Sequence, residues 1–233
     1  MCGLLLAACA DSSGNGSDTT LDKTSDTSES VKSDYETIKA SGKLVIGITI
    51  YSPMNYYEDD GKTLTGFDTD FAKAVCEKLG VEPVFQIINW ETKETVLKAG
   101  DIDCIWNGLT VTEPRRENMD FTDTYLKNKQ CVVINKKDAD KFTSLETLKS
   151  ALLTAEKGSA GETAVVEDEV LKSASYTASD SQASALLALK AGNFDAIVID
   201  YTMAKASVGA GDYDDLMIVE SIALHDEEYA IGF

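Results

Sequence analysis

The stretch that decides the fold is Asp101-Ile102-Asp103-Cys104-Ile105-Trp106, followed at once by Asn107-Gly108-Leu109-Thr110-Val111-Thr112-Glu113-Pro114-Arg115. Its first part reads as a strand that ends at an Asn-Gly turn signal. Thr110 and Thr112 then supply hydroxyls, and Arg115 a fixed positive charge, at the strand's carboxyl edge. Such a set suits a small carboxylate. A guanidinium offers a planar two-pronged donor, the Thr110 hydroxyl adds another, and an open carbonyl at Gly108 can accept from an ammonium. The plainer alternative is that Thr112 caps a surface helix with Pro114 in its first turn and Arg115 exposed.

Working outward, residues 44–50 and 84–88 read as buried strands. Between them Phe67, Phe71, Val75 and Leu79 recur at helical spacing, with Gly80 closing the helix. Residues 94–99 form a further helix before Gly100. Strand, helix, strand, helix, strand implies a parallel sheet with right-handed crossovers, and ligands of such sheets gather at the strands' carboxyl ends. Tyr51, Trp90 and the segment from Gly108 to Arg115 each follow a strand and should share one rim. A polar connection, Lys127-Asn128-Lys129, leads to a second series: a strand over 131–134, a helix over 145–152, a strand over 153–156, a helix over 163–171, a helix over 183–191 and a strand over 196–199. The fold expected is α/β, with two mainly parallel sheets, each flanked by helices.

In the second series, Gly158-Ser159-Ala160-Gly161-Glu162 opens a helix with small residues and unpaired N–H groups, a second contact for a carboxylate through Ser159 and the amides near Ala160. Asp200 ends an apolar strand. It is either the N-cap of the helix that follows or the partner of a buried cation. Arg115 and Asp200 together carry the signs needed for an α-carboxylate and an α-ammonium, while Tyr51 and Trp90 offer flat faces to a side chain.

The chain has 233 residues, 43% hydrophobic and 26% charged, enough for a core in one large or two modest domains. A net charge of -19 without clustered Lys and Arg excludes a nucleic-acid face. His225 is the single histidine and no Cys-x-x-Cys spacing occurs, so neither a metal nor another cofactor is expected. Cys76, Cys104 and Cys131 sit in apolar periodic segments and read as small core residues.

The beginning of the chain has a different character. Gly3-Leu4-Leu5-Leu6-Ala7-Ala8 is far shorter than the roughly 20 apolar residues of a membrane-spanning helix. It reads as the end of a secretory signal. Leu6-Ala7-Ala8-Cys9 resembles a bacterial lipoprotein signal, which implies cleavage before Cys9 and a diacylglycerol on its thiol. From Ala10 the chain is Ser, Thr, Asp and Gly with a surplus of acids, a composition that cannot offset its ordering entropy by burial.

The ordered set of Gly66-Phe67-Asp68, the run from Asn107 to Arg115, Asp120-Phe121-Thr122, the run from Gly158 to Glu162, Ala191-Gly192-Asn193-Phe194-Asp195-Ala196 and Tyr229-Ala230-Ile231-Gly232-Phe233 resembles the polar amino-acid family of bacterial ABC-transporter solute-binding proteins. The resemblance implies a two-lobed, type II periplasmic-binding-protein clamshell that takes one free L-amino acid between its lobes and presents the closed form to the permease's transmembrane subunits. It implies a monomer held to the outer face of the cell membrane by its lipid, with no catalysis. Carried over by position, Arg115, Thr110 and Ser159 with Ala160 take the carboxylate, Gly108 and Asp200 take the ammonium, Tyr51 and Trp90 flank the side chain, and Asn107 belongs to the same wall. Glu156 falls at the second lobe's side-chain position, or is a solvated rim charge. Position 48 is Ile, where relatives that bind basic amino acids resemble one another in carrying an acid. The family continues past Phe233 with helices that complete the first lobe, so a fragment or a bare apolar face is expected. The domain plan is a signal remnant over 1–9, a disordered tether over 10–42, a first lobe over 43–127 with 229–233, and a second lobe over 128–228 with hinge strands at both ends. The runner-up is a dehydratase on the same clamshell with Glu156 or Glu162 as acid, and a third reading is the sensor domain of a receptor.

Overall fold

The computed structural model describes residues 33–233. The expected signal remnant, the lipid-bearing Cys9 and most of the expected tether lie outside the described residues. In chain order the first half comprises helix α1 (Asp34–Ser41), strands β1 (Lys43–Ile48), β2 (Tyr56–Tyr57) and β3 (Leu64–Thr65), helix α2 (Phe67–Leu79), strand β4 (Glu82–Ile87), helix α3 (Lys93–Lys98), strand β5 (Cys104–Thr110) and helix α4 (Glu113–Arg116). The second half follows with β6 (Leu126–Asn135), α5 (Leu145–Leu148), β7 (Leu152–Thr154), α6 (Ala160–Glu167), β8 (Ser175–Tyr176), α7 (Gln182–Lys190), β9 (Ala196–Asp200), α8 (Tyr201–Ser207), β10 (Leu216–Ile218) and β11 (Asp226–Gly232).

The strands run in the order β4-β1-β5-β11-β6-β9-β7-β8, with β10 also on β6. Each half keeps a parallel set, β4-β1-β5 and β9-β7-β8. The antiparallel members are β6, which carries the chain out of the first half, β11, which brings it back, and β10 on β6. Because helices cover both faces, central strands are apolar on both sides rather than alternating. Val132 and Ile134 pack under α5 and α6 with Leu148, Leu153 and Val165, while Cys131 and Val133 pack under α7 and α8 with Leu186, Leu189 and Met203. Cys131 is a free thiol in the second of these cores, and Cys76 and Cys104 are free thiols in the first half's core with Leu44, Ile46 and Trp106.

Several sequence expectations shift. Residues 34–41, expected within the tether, form α1, because Ser33 and Glu36 make a reciprocal capping box and Gly42 ends the helix in a left-handed conformation. Strand β5 does not stop at Asn107-Gly108 but continues to Thr110, pairing Leu109 with Ala230 and Thr110 with Tyr229 across a register shift. The Lys127-Asn128-Lys129 connection is itself part of β6. Helix α5 ends at Leu148, since Leu152 already belongs to β7 and gives its N–H to Asp195 at 2.8 Å. Helix α6 starts at Ala160, ahead of the expected Thr163, because Ser159 caps it.

Helix α2 forms over the expected stretch and closes at Gly80; it buries Asp68, Thr69, Ala72 and Cys76, with Val75 and Leu79 packed against the same core. Phe67 remains 48% exposed and Phe71 36%. With Leu44, Trp106, Tyr125 and Ile231, Phe71 lines an open apolar groove on the first half. No helix among the described residues is long and apolar enough to cross a membrane.

Candidate functional site

Gly108 sits inside β5 at φ +55°, a left-handed conformation that favours glycine. A Cβ there would come within 2.6 Å of the Tyr51 ring, so the position needs glycine for space as well as for backbone geometry. The twist aims the Gly108 N–H at the buried Asp68 carboxylate, 2.7 Å away. Burial pushes the Asp68 pKa up to about 6, and the Gly108 hydrogen bond opposes the rise. Asn107, next to it, accepts from the Thr49 N–H and the Asn55 amide and donates to the Thr49 hydroxyl, which ties the ends of β1 and β5 together.

Beyond β5, Thr112 does cap helix α4, accepting the Arg115 N–H at 3.3 Å. The plain reading of this segment is therefore correct for the backbone and incorrect for the side chain, because Arg115 is only 7% exposed. Its guanidinium donates to the Thr110 carbonyl at 2.7 Å and, across the cleft, to the Gly158 carbonyl at 3.1 Å. Burial lowers its pKa. On the opposite wall Ser159 caps α6 by accepting the Glu162 N–H at 3.1 Å, which leaves its own hydroxyl hydrogen to donate.

Asp200 occupies the N-cap position of α8 but makes no capping hydrogen bond. Its Oδ1 instead accepts from Asn128 at 2.7 Å and Gln130 at 2.8 Å, both on β6, and its Oδ2 accepts from Gln182 on α7. Gln182 also takes the Asp200 N–H at 2.9 Å, so its orientation is set from both ends. The same Asn128 and Gln130 amides bridge to Glu227 on β11. Two carboxylates held this close in a buried place disfavour double ionisation, and burial with the Asp200 charge holds Glu227 well above the usual carboxylate range.

Tyr51, Trp90, Asn107, Gly108, Thr110, Arg115, Glu156, Ser159, Ala160 and Asp200 all line one crevice between the halves, with about 360 Å³ of empty space including its mouth. Arg115 enters from the first half and Asp200 from the second, and neither belongs to an ion pair among the described residues. Tyr51 is a fixed wall, its hydroxyl 2.9 Å from that of Tyr229. Glu156 is no solvated rim charge. It is 4% exposed, and burial, with Asp200 adding to it, raises its pKa to about 8. Glu162 faces elsewhere, bonded to the Gly158 N–H at 2.7 Å and the Tyr176 hydroxyl at 3.0 Å. Ile48 is 1% exposed and packs with Ile46, Ala72 and Cys76, so position 48 does not reach the crevice.

Sequence reasoning missed Thr49, Ile50 and Gln182, which complete the lining. Thr49 and Ile50 precede Tyr51 on the same rim and were within reach of that argument. It also missed Lys93, an ammonium only 3% exposed that donates to the Trp90 carbonyl at 3.2 Å and, across the cleft, to Gly158 at 2.8 Å. Burial, reinforced by Arg115, pulls the Lys93 pKa down to about 8.

Two α/β halves joined by a pair of antiparallel strands, with a polar crevice between them lined by Arg115 from the first and by Asp200 and Glu156 from the second, define a two-lobed binding protein for a small molecule. The chain belongs to the bacterial extracellular solute-binding proteins, family 3, whose sequence profile matches residues 44–183. It is 31% identical over 234 residues to the glutamine-binding protein of an ABC transporter of Bacillus subtilis, covering 98% of this chain and 80% of that relative. A probable histidine-binding protein of Campylobacter jejuni is 32% identical over 155 residues, 66% of this chain and 58% of the relative. Among solved structures, an amino acid ABC transporter substrate-binding protein from Streptococcus pneumoniae bound to L-arginine superposes with a TM-score of 0.80 at 30% identity, covering 87% of this chain and 85% of that one.

Proposed function

We propose that this chain is the extracytoplasmic substrate-binding component of an ABC importer for a polar L-amino acid, and that it works by closing over its ligand without chemistry. The observation that carries the reading is the pair of opposite buried charges, Arg115 and Asp200, entering one crevice from opposite halves without ion-pair partners. An α-amino acid supplies both missing partners. Arg115, with the Thr110 and Ser159 hydroxyls and the amide at Ala160, takes the carboxylate; Asp200, with Gly108, takes the ammonium; Tyr51, Trp90 and Asn107 form the walls beside the side chain. The relatives named for glutamine, histidine and arginine support an amino acid as the ligand.

The lobes in this reading are residues 43–127 with 229–233, and 128–228, and they turn about β6 and β11. Closure follows from differential contact, because a ligand that touches both halves binds the shut form more tightly than the open one and shifts the population. A diacylglycerol on Cys9 tethers a monomer near its permease. A dehydratase with Glu162 as acid is disfavoured, since that carboxylate is committed to Gly158 and Tyr176. Calorimetric titration with the twenty amino acids is the test. Micromolar or tighter binding of at least one is expected, and nothing tighter than about millimolar for any of them overturns the reading.

A further inference from the structure

Glu227 lies on β11, one of the two strands that cross between the halves, and does not itself line the crevice. Its Oε1 accepts from Asn128 at 2.5 Å and from Gln130 at 2.9 Å, and Asp200 Oδ1 accepts from the same two nitrogens at 2.7 and 2.8 Å. Two acids that share both donors are held with these oxygens close together. Asn128 is not free to turn away, because its own oxygen takes the Thr202 N–H at 3.1 Å and the Thr202 hydroxyl at 2.8 Å. On the crevice side Arg115 is the cation that both acids favour, while Glu156 adds a further acid whose charged form Lys93 and Arg115 support. The Tyr51 and Tyr229 hydroxyls stay neutral, since burial raises both well above their ordinary value. Lys127 and Lys129 on β6 stand opposite Glu228 and Asp226 instead. The groove on the other side of Glu227 brings Glu167, Asp168, Asp226 and His225. The surroundings of Glu227 are thus mainly acidic, and like charges beside a carboxyl favour its protonated form.

We infer that Glu227 is a positioning residue for the ligand's ammonium: it holds Asn128 and Gln130 against Asp200, carries a proton while the crevice is empty, and gives that proton to solvent when the ammonium arrives beside Asp200. The inference rests on the proposed function. The Glu227 O–H bond breaks, the two acids then carry two negative charges in place of one, and the ammonium compensates the added charge. A cation within about 4–6 Å of a carboxyl favours its ionised form by at least about tenfold. An ammonium seated on Asp200 falls within that reach of Glu227, because single nitrogens bridge the two acids. The sign follows. The ligand prefers the doubly ionised pair, so binding weakens in acid, where the proton must first leave, and strengthens as pH rises.

E227Q isolates this step. Only Oε1 of Glu227 accepts from Asn128 and Gln130, so a glutamine carbonyl keeps that acceptor while carrying neither the charge nor the labile proton. Titration calorimetry of the whole protein with its tightest binder among the twenty amino acids should show affinity rising roughly tenfold from about pH 6 to about pH 8, with protons released on binding. In E227Q the rise should fall below about threefold. Its affinity near pH 6 should stay within about threefold of wild type, which also shows that the variant is folded. E227L, which removes the acceptor as well, should bind more weakly than E227Q at both pH values, and E156Q should keep the rise. A wild-type rise below about threefold overturns the inference, as does a rise unchanged in E227Q, a rise lost in E156Q, or equal binding by E227L and E227Q. Each of these leaves the proposed function standing. Failure to bind any of the twenty removes the function and this inference with it.

Discussion

Replacing Asp200 with Asn separates what this side chain does for the fold from what it does for the ligand. Both carboxylate oxygens accept from carboxamides, Oδ1 from Asn128 and Gln130 and Oδ2 from Gln182. An Asn in the same place keeps one acceptor and presents an NH2 group on the other side. With the NH2 toward Gln182, two donors face each other. Flipping the Gln182 amide does not help, because its Oε1 already holds the residue-200 N–H at 2.9 Å and would be exchanged for a second donor. One buried donor is left without a partner, at a cost of about 1–3 kcal/mol. Against this, removing the charge relieves Glu227 and Glu156, whose pKa values Asp200 helps to raise. Net destabilisation in urea unfolding should therefore be modest, about 1 kcal/mol. The ligand loses more. Its ammonium, buried on closure, loses its charged partner, at about 2–5 kcal/mol, which is roughly 30-fold to 4,000-fold in Kd. Calorimetry on D200N that returned an affinity within threefold of wild type for the best wild-type ligand would refute the assignment of the ammonium to Asp200.

Three further outcomes are expected. G108A should lower stability by about 2–4 kcal/mol in urea unfolding, combining the left-handed backbone cost with a Cβ placed 2.6 Å from the Tyr51 ring and 3.1 Å from that of Tyr229; a loss under 1 kcal/mol means the bulge relaxes. Glu156 and Asp68 are raised to about 8 and about 6, above their values in the unfolded chain, so the folded form holds the extra protons and stability should fall as pH rises from about 4 to 8. Melting curves of wild type and E156Q across that window check the sign, with a flatter slope expected for the variant; above pH 8 Lys93, lowered to about 8, works in the opposite direction. The Glu91–Lys157 ion pair crosses the cleft at 2.8 Å, yet both partners are about half exposed, so K157A should change ligand affinity by less than about fivefold, and less still at high salt.

What the sequence made legible was the periodicity and the signs of the charges. The strands ending before Tyr51, Trp90 and Asp200 were readable because each is a short apolar run closed by polar residues, and a parallel series places such ends on one rim. The extent of β5 was not, because an Asn-Gly pair reads locally as a turn and its pairing partner, β11, lies more than a hundred residues away. A capping role for Asp200 could not be set aside from sequence for the same reason: Asn128, Gln130 and Gln182, which hold its oxygens away from the helix, come from two other elements. Lys93 reads in sequence as a solvated residue at a helix start, and only the apposition of the second half at Gly158 buries it. The spacing of Phe67, Phe71, Val75 and Leu79 located helix α2 but not its buried Asp68 and Thr69, polar residues justified only by bonds to Gly108 and Asn55.

The two strands that cross between the halves lie side by side in register, with Glu227 opposite Asn128 and Asp226 opposite Lys129. A paired ribbon bends readily out of its plane and resists shearing, so the proposed closure has one easy direction and the jaws meet again in the same alignment after each cycle. Asn128, Gln130 and Glu227 ride on this ribbon, which places the residues that hold Asp200 at the fulcrum of the proposed closure, where displacement per degree of rotation is least. In the function proposed above, a guest is then seized by its amino end while the jaws are still apart, with the guanidinium contact arriving as they shut.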